Sequence, residues 1–291
     1  MPDFAIVDAH VHLYDPTAIN YPWMAALPAL NTRHASGEYA AATKDAAVVE
    51  SLVFIEVDAA EGAHLDEVRW VESLAHDDSR VRAIAASMPI EKGSAAVEAD
   101  LARFAAMPLA RSVRRLIQGH VNEPGWCLRP DFVDGVKAVG RHRLGFELCI
   151  YHPQMSDVIE LAKHCPDVRF ILDHIGKPGI KDGLREPWWS EMRTLASLPN
   201  VVCKISGVIT EADRRSWTYD DVAPYIAHAI ECFGFDRVIF GSDWPVVNLA
   251  ASFKAWVDVL DRVAAGSSES DLRKLYRDNA AAWYRLGPPA R

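Results

Sequence analysis

Eight short apolar runs, rich in Val, Ile and Phe and separated by amphipathic stretches, constrain this chain more than any other feature. They lie at 4–13, 51–58, 81–90, 110–117, 144–152, 168–176, 201–207 and 237–245. Most are continuous, not alternating, which is the pattern of strands covered on both faces. Residues 62–78, 94–107, 131–142, 155–165 and 220–234 carry apolar positions at helical spacing, with Ser94 placed as an N-cap. Two further helical segments fall within 252–265 and 269–285. Strands alternating with helices predict a parallel sheet. Eight such units close most simply into a (β/α)8 TIM barrel, an α/β fold, with 1–291 as a single domain. An open doubly wound sheet is the alternative. It would lack a phosphate loop, because no GxGxxG or GxxxxGK[ST] opens a helix.

Composition narrows the partners. Half of the 291 residues are hydrophobic, enough for a large core. The net charge of −9 and the lack of any Lys/Arg cluster argue against nucleic acid. The five cysteines, Cys127, Cys149, Cys165, Cys203 and Cys232, are widely spaced without a CxxC. They read as small buried residues in a reducing compartment, not as disulfides or a thiolate metal site. The first fifteen residues show no basic region followed by an apolar one, and no stretch is long enough to span a bilayer. A cytoplasmic protein without a membrane partner is expected.

Chemistry-bearing residues gather at the ends of the runs. His10 and His12 are two apart on the first, so strand geometry points both to one face, near the end where barrels place active sites. An HxH alone describes two core histidines equally well. The fifth run ends in Tyr151-His152, the sixth in Asp173-His174-Ile175-Gly176-Lys177-Pro178 and the eighth in Gly241-Ser242-Asp243-Trp244-Pro245. A closed barrel brings these ends to one mouth. Burying such groups costs several kcal/mol unless they pair, hydrogen-bond or bind something. Asp8 falls on the face of His10 and His12 but deeper, as a structural partner. Residues 14–47 form a long aromatic loop expected over the barrel top. There is no GxSxG elbow.

The segments VDAHVHL, LDHIGKP and FGSDWP resemble the amidohydrolase superfamily, in order and across the whole chain. Within it the chain is similar to the sugar-lactonase and dicarboxylate-lactonase branch, L-fuconolactonases and L-rhamnonolactonases being closest in character. Tyr21-Pro22-Trp23, Glu56 and Val113-Arg114 also fit that branch. The resemblance implies the distorted barrel of the superfamily, with Asp243 as general base for the attacking water. His10, His12 and His174 would surround the same point, as metal ligands with Asp243 or as hydrogen-bond partners. His152 would be a further ligand or a substrate contact. No lysine ends the fourth strand to bridge two metals; Arg114 and Arg115 stand there, which implies one divalent ion at most, zinc by donor type, and not necessarily required.

Other residues admit two readings each. One of Arg114 and Arg115 faces the lumen, and the resemblance favours Arg114 as a polariser or hydroxyl binder; an outer salt bridge is the alternative. Glu56 binds sugar hydroxyls or pairs with an arginine. Trp23 and Trp244 flank the site as stacking faces for a sugar ring or belong to the core. Lys204 faces the lumen or snorkels. His120 could reach the mouth, while His34, His64, His76, His142, His164 and His228 read as surface or packing residues. The expected activity is hydrolysis of a small-molecule sugar lactone, an aldonolactone of the L-fuconolactone kind. A metal-dependent decarboxylase or amide hydrolase of the same superfamily, and a non-catalytic binding barrel, are the alternatives.

Overall fold

The eight runs fold as parallel strands hydrogen-bonded in sequence order: β1 (Ile6–Val11), β2 (Val49–Ile55), β3 (Val81–Ser87), β4 (Ala110–Leu116), β5 (Gly145–Cys149), β6 (Arg169–Leu172), β7 (Val201–Ile205) and β8 (Val238–Phe240). The structure, a computed structural model, describes residues 3–287. Helices α1 (Ser36–Thr43), α2 (His64–Asp77), α3 (Ser94–Ala105), α4 (Pro130–Arg141), α5 (Met155–His164), α6 (Trp188–Ala196), α7 (Tyr219–Phe233) and α8 (Phe253–Val263) follow strands one to eight in turn. The result is a nearly closed (β/α)8 barrel. Among the described residues, no helix is long and apolar enough to cross a membrane.

The strands bury both faces because their side chains alternate between two cores. Ile6, Leu52, Phe54, Ile84, Val113, Phe146 and Phe170 belong to the large cluster shared with the helices. Val7, Ala9, Val53, Ile55, Ala83, Ala85, Ile171, Val202 and Ile239 form a separate cluster within the barrel, joined by Tyr284 from the end of the chain. Such a filled lumen is a packed core with its working face at the strands' C-terminal ends.

The seam between β8 and β1 departs from the ladder. β8 has only three residues, so the last stretch of its apolar run is loop. Beyond it, Asp243 N–H donates to His10 O at 2.9 Å and His12 N–H to Trp244 O at 2.8 Å. Asp8 closes the remainder. Its carboxylate accepts from Ser242 N–H at 2.8 Å, His10 N–H at 3.2 Å and the Tyr39 hydroxyl of α1 at 2.8 Å. Asp8 therefore does not share the histidines' surroundings as simple alternation requires. The pairing register of β1 slips between Asp8 and Val11, and this turns Asp8 to the seam.

Three helical features differ from the sequence reading. Ser94 opens α3 but does not cap it: Gly93 holds the cap position, and Ser94 N–H donates to Asp134 of α4 at 2.8 Å. Helices α1 and α6 fall outside the segments with apolar positions at helical spacing. The first is alanine-rich with little apolar-polar contrast, and the second packs two adjacent tryptophans in nine residues. The helical segment at 269–285 is broken by a π-helical turn, Lys274–Asp278, which buries the adjacent Leu275 and Tyr276 together.

Candidate active site

Three strand ends, those of β1, β6 and β8, supply one cluster. Asp243 Oδ1 lies 3.4 Å from His12 Nε2, 3.6 Å from His10 Nε2 and 3.9 Å from His174 Nε2. All four side chains are buried. The opposite nitrogen of each imidazole has its own partner. His12 Nδ1 is 2.9 Å from Ile55 O, His174 Nδ1 is 3.0 Å from Ser206 Oγ, and His10 Nδ1 is 3.4 Å from Asp173 Oδ1. The Ile55 carbonyl accepts from His12 Nδ1 and so fixes the ring with Nε2 toward Asp243.

Backbone strain aims these groups. His174, Ile175 and Lys177 occupy the left-handed region with φ of 54°, 49° and 47°, and Asp243 does so at 60°. Side-chain residues there cost energy and persist only where surroundings hold them. Trp188 Nε1 does so for the first loop by donating to Ile175 O at 2.8 Å. Gly207 makes the convergence possible: a Cβ at its φ of +59° would lie 2.4 Å from His174 Nδ1 and 2.9 Å from Asp243 Oδ2.

A buried charge network lies beneath. Arg114 Nε donates to Glu56 Oε1 at 2.5 Å and Nη2 to Glu56 O at 2.7 Å, while Nη1 is 3.5 Å from both Asp173 Oδ2 and His10 Nε2. Lys204 Nζ pairs with Glu147, and lies 3.2 Å from Asp173 Oδ1 and 3.4 Å from His10 Nδ1. Glu147 Oε1 accepts from Ser112 Oγ at 2.6 Å and from the Tyr284 hydroxyl at 2.9 Å. The lumen reading thus holds for Lys204 and for Arg114; Arg115 pairs outside with Glu91 at 2.7 Å.

Electrostatics follow from burial and these neighbours. Burial holds the His10 and His174 imidazoles well below their usual range, against the pull of Asp173 and Asp243, so both are neutral at pH 7. Burial alone would raise the Asp243 carboxyl, but His174, His12 and Lys177 bring it below the usual carboxylate value. Asp173 is likewise held well below it, burial being outweighed by Lys204 and His10. The site therefore combines anionic Asp243 with imidazole lone pairs.

That donor set fits a divalent ion. Ligand atoms of His10, His12 and Asp243 lie within 4.8 Å of one another, as do those of His10, Asp173 and His174. Imidazole nitrogen with carboxylate oxygen suits zinc-like ions, and a carboxylate, carbonyl or hydroxyl behind each imidazole is the usual support of such ligands.

The cluster ends a cavity of about 330 Å³. His12, His174, Arg114 and Asp243 reach it, with Tyr14, Trp23, Leu27 and Leu30 from the loop that covers the top. Trp23 Nε1 is anchored on Val57 O at 2.7 Å. Several residues considered from sequence lie off the cavity wall. Glu56 is spent on Arg114, the pairing alternative. The Trp244 ring packs on His34 and Tyr39. His152 starts a 3-10 turn and sits against Gly179. His120 stacks on Trp126. Asp58, Gln118, Lys177 and Arg214 line the cavity without having been singled out. All four lie beyond a strand end, where periodicity carries no signal, Arg214 farthest; Asp58 closes the 51–58 run beside Glu56, Gln118 is near His120 and Lys177 lies inside LDHIGKP.

Comparison with known proteins agrees with this geometry. Residues 7–286 match the family described as amidohydrolase. A protein of Burkholderia multivorans named L-fucono-1,5-lactonase is 28% identical over 98% of this chain and 97% of its own length. One of the same name from Burkholderia ambifaria is 30% identical over 77% of this chain and 78% of its own. The crystal structure of an amidohydrolase from Burkholderia multivorans with bound zinc superposes with a TM-score of 0.86, at 26% identity, covering 98% of this chain and all of the other. The chain is an enzyme, a hydrolase, and belongs to the amidohydrolase family.

Proposed function

We propose that the protein opens a sugar-acid lactone, an aldonolactone of the L-fuconolactone kind, to its aldonic acid, with Asp243 as the base that activates water. One observation carries the reading: an ionised, buried carboxylate ringed by three imidazole Nε2 atoms at the end of a cavity sized for one sugar ring. The names of the two Burkholderia lactonases support it.

Asp243 accepts a proton from water as the oxygen bonds to the lactone carbonyl carbon. The Arg114 guanidinium opposes the charge that gathers on the carbonyl oxygen. When the ring C–O bond breaks, Asp243 returns the proton to the departing ring oxygen, which becomes a hydroxyl. The product carboxylic acid then ionises and releases one proton. His10 and His12 with Asp243 would hold a divalent ion, zinc by donor type, which when bound supplies Lewis-acid polarisation of the ester. Trp23 offers an apolar face to the ring.

The test is acid release from a panel of L- and D-aldonolactones, with and without chelator. Turnover of at least one aldonolactone is expected. Absence of acid release across the panel, with zinc supplied, overturns the reading.

A further inference from the structure

The cavity holds one carboxylate that the reaction leaves unused. Asp58, three residues past β2, lines the wall, and its carboxylate accepts no hydrogen bond among the described residues. Its backbone is left-handed, with φ of 55°. The turn is fixed from behind, by Asp58 N–H donating to Glu56 Oε2 at 2.6 Å and by Ala60 N–H donating to Asn20 O at 2.9 Å. A strained, anchored backbone that presents an unpaired acceptor to a cavity is a device for meeting a ligand donor.

Across the mouth stands a donor pair. The strands run in order around the barrel, so the loops after β2 and β6 are four positions apart and face each other. Lys177, after β6, donates from Nζ to Gln118 Oε1 at 2.5 Å, and Cys149 Sγ lies 3.4 Å from the same oxygen. With its oxygen occupied, Gln118 still has its NH₂ to donate. Both residues line the cavity and keep spare N–H groups.

We infer that Asp58 is a specificity-determining residue: it accepts hydrogen bonds from ring hydroxyls of the lactone, while the Gln118–Lys177 pair opposite donates to hydroxyl oxygens on the far edge. The substrate class is then polyhydroxylated lactones, read on both edges, and not lactones bare of hydroxyls. This rests on the lactonase reading above.

The experiment compares L-fuconolactone with δ-valerolactone, which has no ring hydroxyl, on the wild type, Asp58→Asn and Asp58→Gly. Both replacements tolerate a positive φ, so refolding of the turn is not at issue. Loss of a hydrogen bond to a charged group corresponds to about 10- to 100-fold in kcat/KM. Asp58→Gly is expected to lose that factor on L-fuconolactone and at least tenfold less on δ-valerolactone, with Asp58→Asn in between because one acceptor oxygen remains. Equal losses on the two lactones, no loss on either, or a wild type that prefers δ-valerolactone overturns the inference. Calorimetric binding of L-fucose, which has the ring hydroxyls but no ester, separates the two readings. If the wild type hydrolyses neither lactone yet binds L-fucose in an Asp58-dependent way, the lactonase reading fails and the hydroxyl-reading role stands. L-fucose affinity unchanged in Asp58→Gly overturns the role.

Discussion

The Lys204 ammonium sits 3.2 Å from Asp173 Oδ1 with both side chains fully closed to solvent, one layer below the imidazole of His10. Lys204 also pairs with Glu147, so a single cation on β7 faces one carboxylate in β5 and one just past the end of β6. Neutralising one partner of a buried pair leaves the other charge unmatched. Lys204→Met is therefore expected to cost about 3–5 kcal/mol in urea unfolding. Lys204→Met combined with Glu147→Gln should recover part of that loss. A single variant as stable as the wild type would contradict the network.

Asp243→Asn keeps the shape of the side chain and removes the base. Turnover of the best lactone should fall by about 10² to 10⁴. Near-ultraviolet circular dichroism, reporting the packed aromatic core, should not change. Retained turnover would exclude Asp243 from proton transfer.

The imidazole cluster predicts linkage between zinc and stability. At a zinc concentration 100 times its dissociation constant, folding gains about 2.7 kcal/mol, visible as a rise in Tm. His12→Ala should show little or no rise, since it deletes the nitrogen 3.4 Å from Asp243. Equal shifts in both proteins would place the ion elsewhere.

Glu67 gives a pH signature remote from the chemistry. Burial, then the charge of Glu56, pushes its carboxyl from 4.5 to about 8. Between those values the folded chain holds a proton that the unfolded chain has lost, so this group's contribution falls as pH rises through the window. Glu67→Gln removes the dependence. Its stability relative to wild type should improve from pH 5 to pH 8.5, by at most about 1.4 kcal/mol per unit. A flat difference across that range would exclude the raised value.

Gly207→Ala tests the tight convergence of His174 and Asp243 on that glycine. Gly234 also has a positive φ, of 64°, but a Cβ there meets nothing within 4 Å. Gly234→Ala should show only the backbone cost of about 1–2 kcal/mol. Gly207→Ala should add a loss of turnover of at least about tenfold, because displacing a group by an ångström is enough to do that. Similar activity in the two variants would show that Gly207 does not set the site.

Much of this arrangement could be read from the residues alone. The barrel announced itself because parallel strands buried on both faces leave continuous apolar runs, and β1 to β7 largely follow those runs. His10, His12, His174 and Asp243 stood out as ionisable groups breaking that apolarity at strand ends. Asp8 was misplaced because a register slip in β1 is invisible to a period of two. Arg214 lies in a loop, which carries no periodicity, and Asp58 at the end of the 51–58 run gains its value only from which other loops it faces. Glu56 kept two readings until Arg114 was seen to occupy it.

The bond from the Tyr284 hydroxyl to Glu147 ties the end of the described chain to the charges under His10. During synthesis His10 and His12 emerge long before that phenol. A nascent barrel missing that turn would carry an unsealed lumen, with Glu147 held by Lys204 and Ser112 alone. The floor of the reaction centre therefore waits on the segment that carries Tyr284.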